Sequence, residues 1–373
     1  MNDAGQLKYI AIHLPQFHPV PENDQWWGKG FTEWRNVTKA RPLFSGHYQP
    51  HLPGELGFYD LRLPEAREAQ AELAGAYGID GFCYYHYWFH GRRLLEKPVN
   101  EILRTGKPDF PFCLFWANES WEGRWHGVTS KKTTLVQQEY SAADDLDHIR
   151  WLAQAMADPR YIKVSGRPIF VIYRPMDLPD PRRTIETWKN EALRLGVPEP
   201  YLIASDSHAF GRDLTGLGFD AVVQFLPQLV VLDCFREATL KWRLQRAVHN
   251  LRCGVASWSV YACDYQAAVQ KMIREVPWPS HKMIFPGWDN TPRAGKKGVV
   301  MVGSSPDKFY RQVLELSQWT LAHLERDRRI LFLNAWNEWA EGNHLEPDLR
   351  NGTGYLEALC RAKKELHGST STG

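Results

Sequence analysis

Close to its C-terminal end the chain reads Asn334-Ala335-Trp336-Asn337-Glu338-Trp339-Ala340-Glu341-Gly342. On a helical or turn-like segment, i,i+3 spacing sets Glu338 and Glu341 on one side, roughly 5–6 Å apart at Cβ. Retaining cleavage of a glycosidic bond uses two carboxyl groups about 5–5.5 Å apart, one protonated to release the leaving oxygen and one ionised. Neighbouring like charges push one pKa upward, and the indoles of Trp336 and Trp339 add apolar surface that strengthens the shift. A solvated acidic turn is the alternative for two glutamates. The tryptophans and asparagines interleaved with them after an apolar run favour the chemical reading, with Glu338 and Glu341 as the catalytic pair.

A second cluster, Trp116-Ala117-Asn118-Glu119-Ser120-Trp121, offers a carboxylate and an amide for sugar hydroxyls or for tuning the pair. A third, Tyr84-Tyr85-His86-Tyr87-Trp88-Phe89-His90, mixes rings with imidazoles. His86 and His90 have the i,i+4 spacing of a metal site, but no third ligand of matching spacing accompanies them, so neither metal nor cofactor is expected. The N-terminal stretch adds Gln16, His18, Trp26, Trp27, Glu33 and Trp34, then His47, Tyr48, Gln49 and His51, on a long loop. Sugar rings have apolar faces rimmed by hydroxyls, so a saccharide site combines aromatic platforms with carboxylates and amides. With 16 Trp, 15 Tyr and 17 Phe, many of them flanked by polar residues, the chain has such platforms.

These groups need a scaffold that brings distant segments together. Short apolar runs alternate with helical stretches, the pattern of βα units around a parallel sheet. Strands are expected at Tyr9–Leu14, Gly81–Tyr85, Phe112–Trp116, Pro168–Tyr173, Tyr201–Ser205, Ala221–Phe225, Met283–Pro286 and Ile330–Asn334. Helices fit at Leu63–Tyr77, Ala142–Ala157, Arg183–Leu195, Cys234–Asn250, Pro306–Arg326 and from about Gly354, with Ser141 and Ser305 as N-caps and Pro306 in a first turn. This alternation suits a single (β/α)₈ barrel of the α/β class over residues 1–367, with 368–373 as a disordered tail. An open doubly wound sheet would look similar, but the Gly-rich phosphate loop it would carry after the first strand is missing. Barrel sites lie at the C-terminal ends of strands. Almost every expected strand ends in an aromatic, amide or carboxylate, which nominates His13, Tyr84, Tyr85, His86, Trp116, Asn118, Glu119, Tyr173, Trp288, Trp336 and Asn337 as substrate contacts, joined by Gln16 and Trp34 of the long N-terminal loop.

Bulk properties narrow the function classes. Lys and Arg number 45 against 43 Asp and Glu, so nothing in the charge balance calls for a nucleic acid. No apolar run reaches the ~20 residues of a membrane span. The six cysteines form no CxxC pair and suit a reducing compartment. With no leader-like start, a cytoplasmic location is expected. The basic residues Lys241, Arg243, Arg246 and Arg252 read as a solvated helix face.

Several motifs then converge. Gly30-Phe31-Thr32-Glu33-Trp34, Gly57-Phe58-Tyr59-Asp60, Gly78-Ile79-Asp80-Gly81-Phe82, Trp116-Ala117-Asn118-Glu119, Asp158-Pro159-Arg160-Tyr161-Ile162-Lys163-Val164 and Asn337-Glu338-Trp339-Ala340-Glu341-Gly342 occur in order. From about Tyr9 to about Leu359 the chain resembles the WbsX-type family, described as glycosyltransferases of bacterial polysaccharide (O-antigen or capsule) biosynthesis or as glycoside hydrolase family 99-like proteins. The resemblance implies a (β/α)₈ barrel distantly similar to endo-α-mannosidases. It further implies that Glu338 deprotonates the sugar's own 2-hydroxyl, while Glu341 protonates the leaving oxygen and later activates the acceptor. The loop Glu122-Gly123-Arg124-Trp125-His126-Gly127 departs from the Arg-richer family pattern, which points to a different specificity. Substrates are expected to be oligosaccharides or polysaccharides, with a sugar donor if the reaction is transfer. A non-catalytic glycan-binding barrel is the third reading, and the intact glutamate pair argues against it.

Overall fold

The computed structural model describes residues 7–122, 134–232, 240–257 and 260–370. Eight strands form the central sheet: β1 (Lys8–His13), β2 (Gly81–Phe89), β3 (Phe112–Trp116), β4 (Arg167–Ile172), β5 (Tyr201–Ser205), β6 (Ala221–Val223), β7 (Ser280–Ile284) and β8 (Ile330–Leu333). Each pairs in parallel with its neighbours in sequence, and β1 pairs with both β2 and β8, so the sheet closes. Ile10 stands opposite Phe332 on one side and Gly81 on the other. Closure rules out the open doubly wound alternative. The strands are almost wholly buried, as expected where helices cover a parallel sheet and the interior is packed with side chains.

The helices follow the same rhythm: α1 (Pro64–Ala76), α2 (Ala142–Met156), α3 (Pro181–Arg194), α4 (Leu240–Arg252), α5 (Pro306–His323) and α6 (Gly354–Thr370). Ser141 and Ser305 cap α2 and α5 by accepting from the amides of Asp144 and Lys308, and Pro306 occupies the first turn of α5. α4 begins at Leu240, and the expected start at Cys234 lies outside the described residues. The helix α6 runs through Thr370, so residues 368–370 are helical rather than tail, and 371–373 lie outside the described residues.

Four strands end within two residues of expectation, two match it, and two depart by more for physical reasons. β7 starts at Ser280 because its polar residues are neutralised inside the fold: the Lys282 ammonium lies 4.1 Å from the Trp319 ring centre and donates to the Arg274 carbonyl. β2 continues to Phe89, beyond its last pairing with β3 at His86–Trp116, because a short return strand, Arg92–Leu94, supplies a new partner. Among the described residues, no helix is long and apolar enough to cross a membrane.

Candidate active site

Glu338 and Glu341 leave the C-terminal end of β8 on a tight turn. Asn337–Glu338 pair antiparallel with Asn343–His344, and Trp339–Glu341 form one 3₁₀ turn between them. Gly342 closes that turn at φ 57°, and a Cβ there would lie 2.9 Å from the Cβ of Asp289. Glycine is therefore required twice over, by the left-handed backbone and by the close approach. The approach is fixed by the Asp289 amide, which donates to the Glu341 carbonyl at 2.6 Å.

Asn337 anchors the same turn to the barrel. Its Oδ1 accepts from the Leu14 amide (2.7 Å) and its Nδ2 donates to the Leu14 carbonyl (3.0 Å) and the Tyr59 hydroxyl (3.1 Å). Every polar group of its side chain is occupied, so Asn337 is a positioning residue and leaves nothing for substrate.

The two carboxylates converge on one cation. Arg293, on a short helix Thr291–Ala294 after β7, donates from Nη1 to Glu341 Oε1 at 2.7 Å and from Nη2 to Glu338 Oε2 at 3.4 Å. Its Nε donates to Glu33 Oε1 at 2.8 Å. Glu33 is fully buried, held by its own amide on the Gln16 carbonyl. One cation thus faces three carboxylates. Three carboxylates on one guanidinium leave excess negative charge, which favours a proton on the pair. Burial, then the charge of Glu341, pushes Glu338 up to about 8. Burial also raises Glu341, but the closer Arg293 contact opposes the rise. Burial would lower Arg293, yet Glu33, Glu341 and Glu338 outweigh it and hold the guanidinium charged. In the free protein, Glu338 is the better seat for the shared proton.

Around the pair stand Tyr85, Tyr87, Tyr173 and Glu119. The hydroxyls of Tyr85 and Tyr87 are raised by burial and then by the Glu338 charge, and that of Tyr173 by burial and then by Glu119 and Glu341. Glu119 sits 3.1 Å from Arg174 Nη1, yet burial still lifts it to about 7. Asp289 behaves oppositely. Burial would raise it, but hydrogen bonds from His47, Thr291 and Gln49 hold it below the ordinary carboxylate range.

Several nominated residues do not reach this site. His13 bonds Gln70 of α1, and Tyr84 packs on Phe112 and His13. His86 stacks on Trp151 of α2, and Trp116 packs on His148 and Trp188 of α2 and α3. Trp336 is fully buried against Phe82. Strand side chains alternate between faces, so His13, Tyr84, His86 and Trp116 turn outward to the helices while Tyr85 and Tyr87 turn to the barrel mouth. Of the i,i+4 pair, His86 lies on β2 with its Nε2 3.0 Å from His148 Nε2, while His90 lies in the turn past the strand end with its Nε2 3.3 Å from Ser141 Oγ, so the two imidazoles face different partners. Asn118 is saturated by Tyr140 and by both backbone groups of Arg174. Trp34 lies beneath the turn, its ring 5.5 Å from Trp339 and its Nε1 donating to the Tyr59 carbonyl. Trp288 lines a neighbouring cavity that Glu338 and Glu341 do not line. Gln16 contributes its carbonyl to Glu33, while its buried Nε2 has no partner among the described residues. The departing loop 123–127 lies outside the described residues.

The fold is a closed (β/α)₈ barrel, with two glutamates and one arginine gathered at the C-terminal end of its strands. The chain belongs to the family described as Glycosyltransferase WbsX, which matches residues 9–359. It is 42% identical over 354 residues to the uncharacterized protein WxcX in two strains of Xanthomonas campestris pv. campestris, covering 95% of this chain and 49% of the relative. The chain thus spans about half the length of the curated relatives it matches. In fold it is similar to the GH99 endo-alpha-mannosidase of Bacteroides thetaiotaomicron, with TM-score 0.55, 14% identity and full coverage of both chains. It is also similar to a glycoside hydrolase-like protein, with TM-score 0.55, 12% identity, 97% of this chain and 95% of the other.

Proposed function

We propose that this domain makes or breaks a glycosidic bond with retention of anomeric configuration, using Glu338 and Glu341 as its acid–base pair. The observation that carries the reading is the convergence of both carboxylates, Glu338 buried and Glu341 partly exposed, on one guanidinium at the barrel mouth, an arrangement that favours a proton shared by the pair. An acid and a base side by side at neutral pH are what the reaction needs.

The chemistry follows the family resemblance. Glu341 gives its proton to the glycosidic oxygen as the C1–O bond breaks, and Glu338 takes the proton of the 2-hydroxyl as that oxygen closes on C1. An acceptor hydroxyl then attacks C1, its proton passes to Glu341, and Glu338 returns its proton to O2. The starting state differs from the free protein, where Glu338 holds the proton better. A substrate 2-hydroxyl donating to Glu338 favours its ionised form and sends the proton to Glu341, so binding itself sets the roles. Tyr85, Tyr173 and Glu119 are the contacts offered to sugar hydroxyls.

Membership of a glycosyltransferase family favours a sugar acceptor over water, and hence synthesis of a bacterial surface polysaccharide. A cytoplasmic location belongs to the same reading. It is supported by Cys83 and Cys113, which face each other on β2 and β3 as free thiols, the form a reducing compartment maintains. The test is a mass-spectrometric turnover screen of wild type and Glu341→Gln with manno-configured oligosaccharides and with nucleotide-sugars. Glu341-dependent conversion of either class supports the reading and separates hydrolysis from transfer. Conversion by the variant at the wild-type rate overturns it.

A further inference from the structure

Next to the carboxylate turn lies a cavity of about 380 Å³ whose walls include Tyr48, His51, Trp288, His344, Asp348 and Tyr355. Within it, His51 Nδ1 and His344 Nε2 are 2.9 Å apart, His344 Nε2 and Asp348 Oδ2 are 3.9 Å apart, and one donor atom from each residue lies within 4.8 Å of the others. Three ligands on a zinc ion at 2.0–2.1 Å in tetrahedral array stand about 3.3 Å from one another. The two measured spacings straddle that value, so small side-chain rotations would close the set.

The state and orientation of His344 fit this use. Its Nδ1 is 2.9 Å from the Glu346 carbonyl. A carbonyl only accepts, so Nδ1 carries the hydrogen and Nε2 presents its lone pair toward His51 and Asp348. Backbone anchoring of the far imidazole nitrogen is the usual support of a metal-bound histidine. Both rings are also held by stacking, His344 on Trp339 at 3.7 Å and His51 on Tyr48 at 4.4 Å. Asp348 is fixed through Oδ1, which accepts the amides of Arg350 and Asn351, while Oδ2, which accepts from Asn351 Nδ2 at 3.1 Å, is the oxygen toward His344.

We infer that His51, His344 and Asp348 bind one divalent transition-metal ion of the zinc class, with exchangeable ligands reaching it from the cavity. Two imidazoles and one carboxylate suit zinc or cobalt and are a poor match for magnesium or calcium, which take oxygen. The ion would tie the N-terminal loop to the ribbon in which His344 pairs with Asn337, and so would brace the turn that carries Glu338 and Glu341. The inference stands on ligand geometry and does not depend on the proposed reaction.

The test is titration of chelator-dialysed full-length protein with Co²⁺, followed by Zn²⁺, read by visible ligand-field absorption, bound-metal stoichiometry and melting temperature. Wild type is expected to take up one equivalent of Co²⁺, to surrender it to Zn²⁺ and to melt higher when loaded. His51→Gln and Asp348→Asn should each weaken uptake at least about tenfold. Asp348→Asn keeps an oxygen acceptor for the two amides, so its folding is preserved and its loss of metal is informative. Absence of stoichiometric uptake by wild type, or unchanged uptake in both variants, overturns the inference.

Discussion

Arg293 Nε lies 2.8 Å from Glu33 Oε1, although 260 positions separate the two residues, and this contact joins the N-terminal loop to the cation between Glu338 and Glu341. Glu33 adds a third negative charge that pushes both members of the pair upward. Removing that charge lets the pair ionise more easily. Glu33→Gln should therefore shift the alkaline limb of the pH–rate profile down by about one unit, since a close like charge is worth about that much. Superimposable profiles for variant and wild type would contradict this coupling.

The pair also sets how stability depends on pH. Glu338 has a folded pKa of about 8 against an ordinary 4.5. Between those values the folded protein binds more protons than the unfolded chain, so this group's contribution to stability falls as pH rises through the window. Glutamine does not titrate. The melting temperature of Glu338→Gln minus that of wild type should grow more positive from acid to alkaline pH, with most of the change between about 5 and 8. A difference that stays flat across differential-scanning melts in that range would count against the raised pKa.

Asn337 holds the turn without touching the chemistry. Asn337→Ala leaves the Leu14 amide and carbonyl unpaired in a buried place, at about 1–3 kcal/mol for each unsatisfied group. A lower melting temperature and a fall in kcat exceeding any change in KM are expected. Denaturant melts and initial rates check this, and a variant as stable and active as wild type would remove Asn337 from the positioning role.

Leaving-group chemistry separates the two glutamates. A glycosyl fluoride departs without a proton, so the group that acts as acid becomes dispensable while the base does not. Glu341→Gln should keep a rapid first release of fluoride from such a donor, followed by slow turnover because the acceptor still needs its base, and should lose turnover of an unactivated glycoside; Glu338→Gln should lose both the burst and the turnover. The mirror-image result would make Glu338 the acid, in line with its hold on the proton in the free protein.

The barrel was legible because its strands are short apolar runs at regular spacing and its helices carry recognisable caps, as Ser141 and Ser305 illustrate. The carboxylate turn was legible because Glu338 and Glu341 stand three apart after a terminal strand. The lining of the mouth was half legible. Reading every polar residue at a strand end as inward ignored the two-residue period, which sends Tyr84 and His86 to the helices and brings Tyr85 and Tyr87 to the site. Asn118 and Asn337 were recognised as important but for the wrong task, since their amides bind backbone groups 56 and 323 residues away. Arg293 carries no local motif. The signal that could have found it is electrostatic: two glutamates packed together at a strand end require a cation, and the residues just past each strand are where to seek it. The His51, His344 and Asp348 cluster joins segments 293 residues apart, which no spacing rule reaches.

The most direct test of the glutamate pair is the anomeric configuration of the first product formed by wild type, followed by NMR from the start of the reaction alongside Glu338→Gln and Glu341→Gln on an unactivated glycoside. The account predicts a product of the donor's own configuration from wild type, and rates at least about 10²-fold lower in each variant. An inverted first product, or wild-type turnover in either variant, would contradict it.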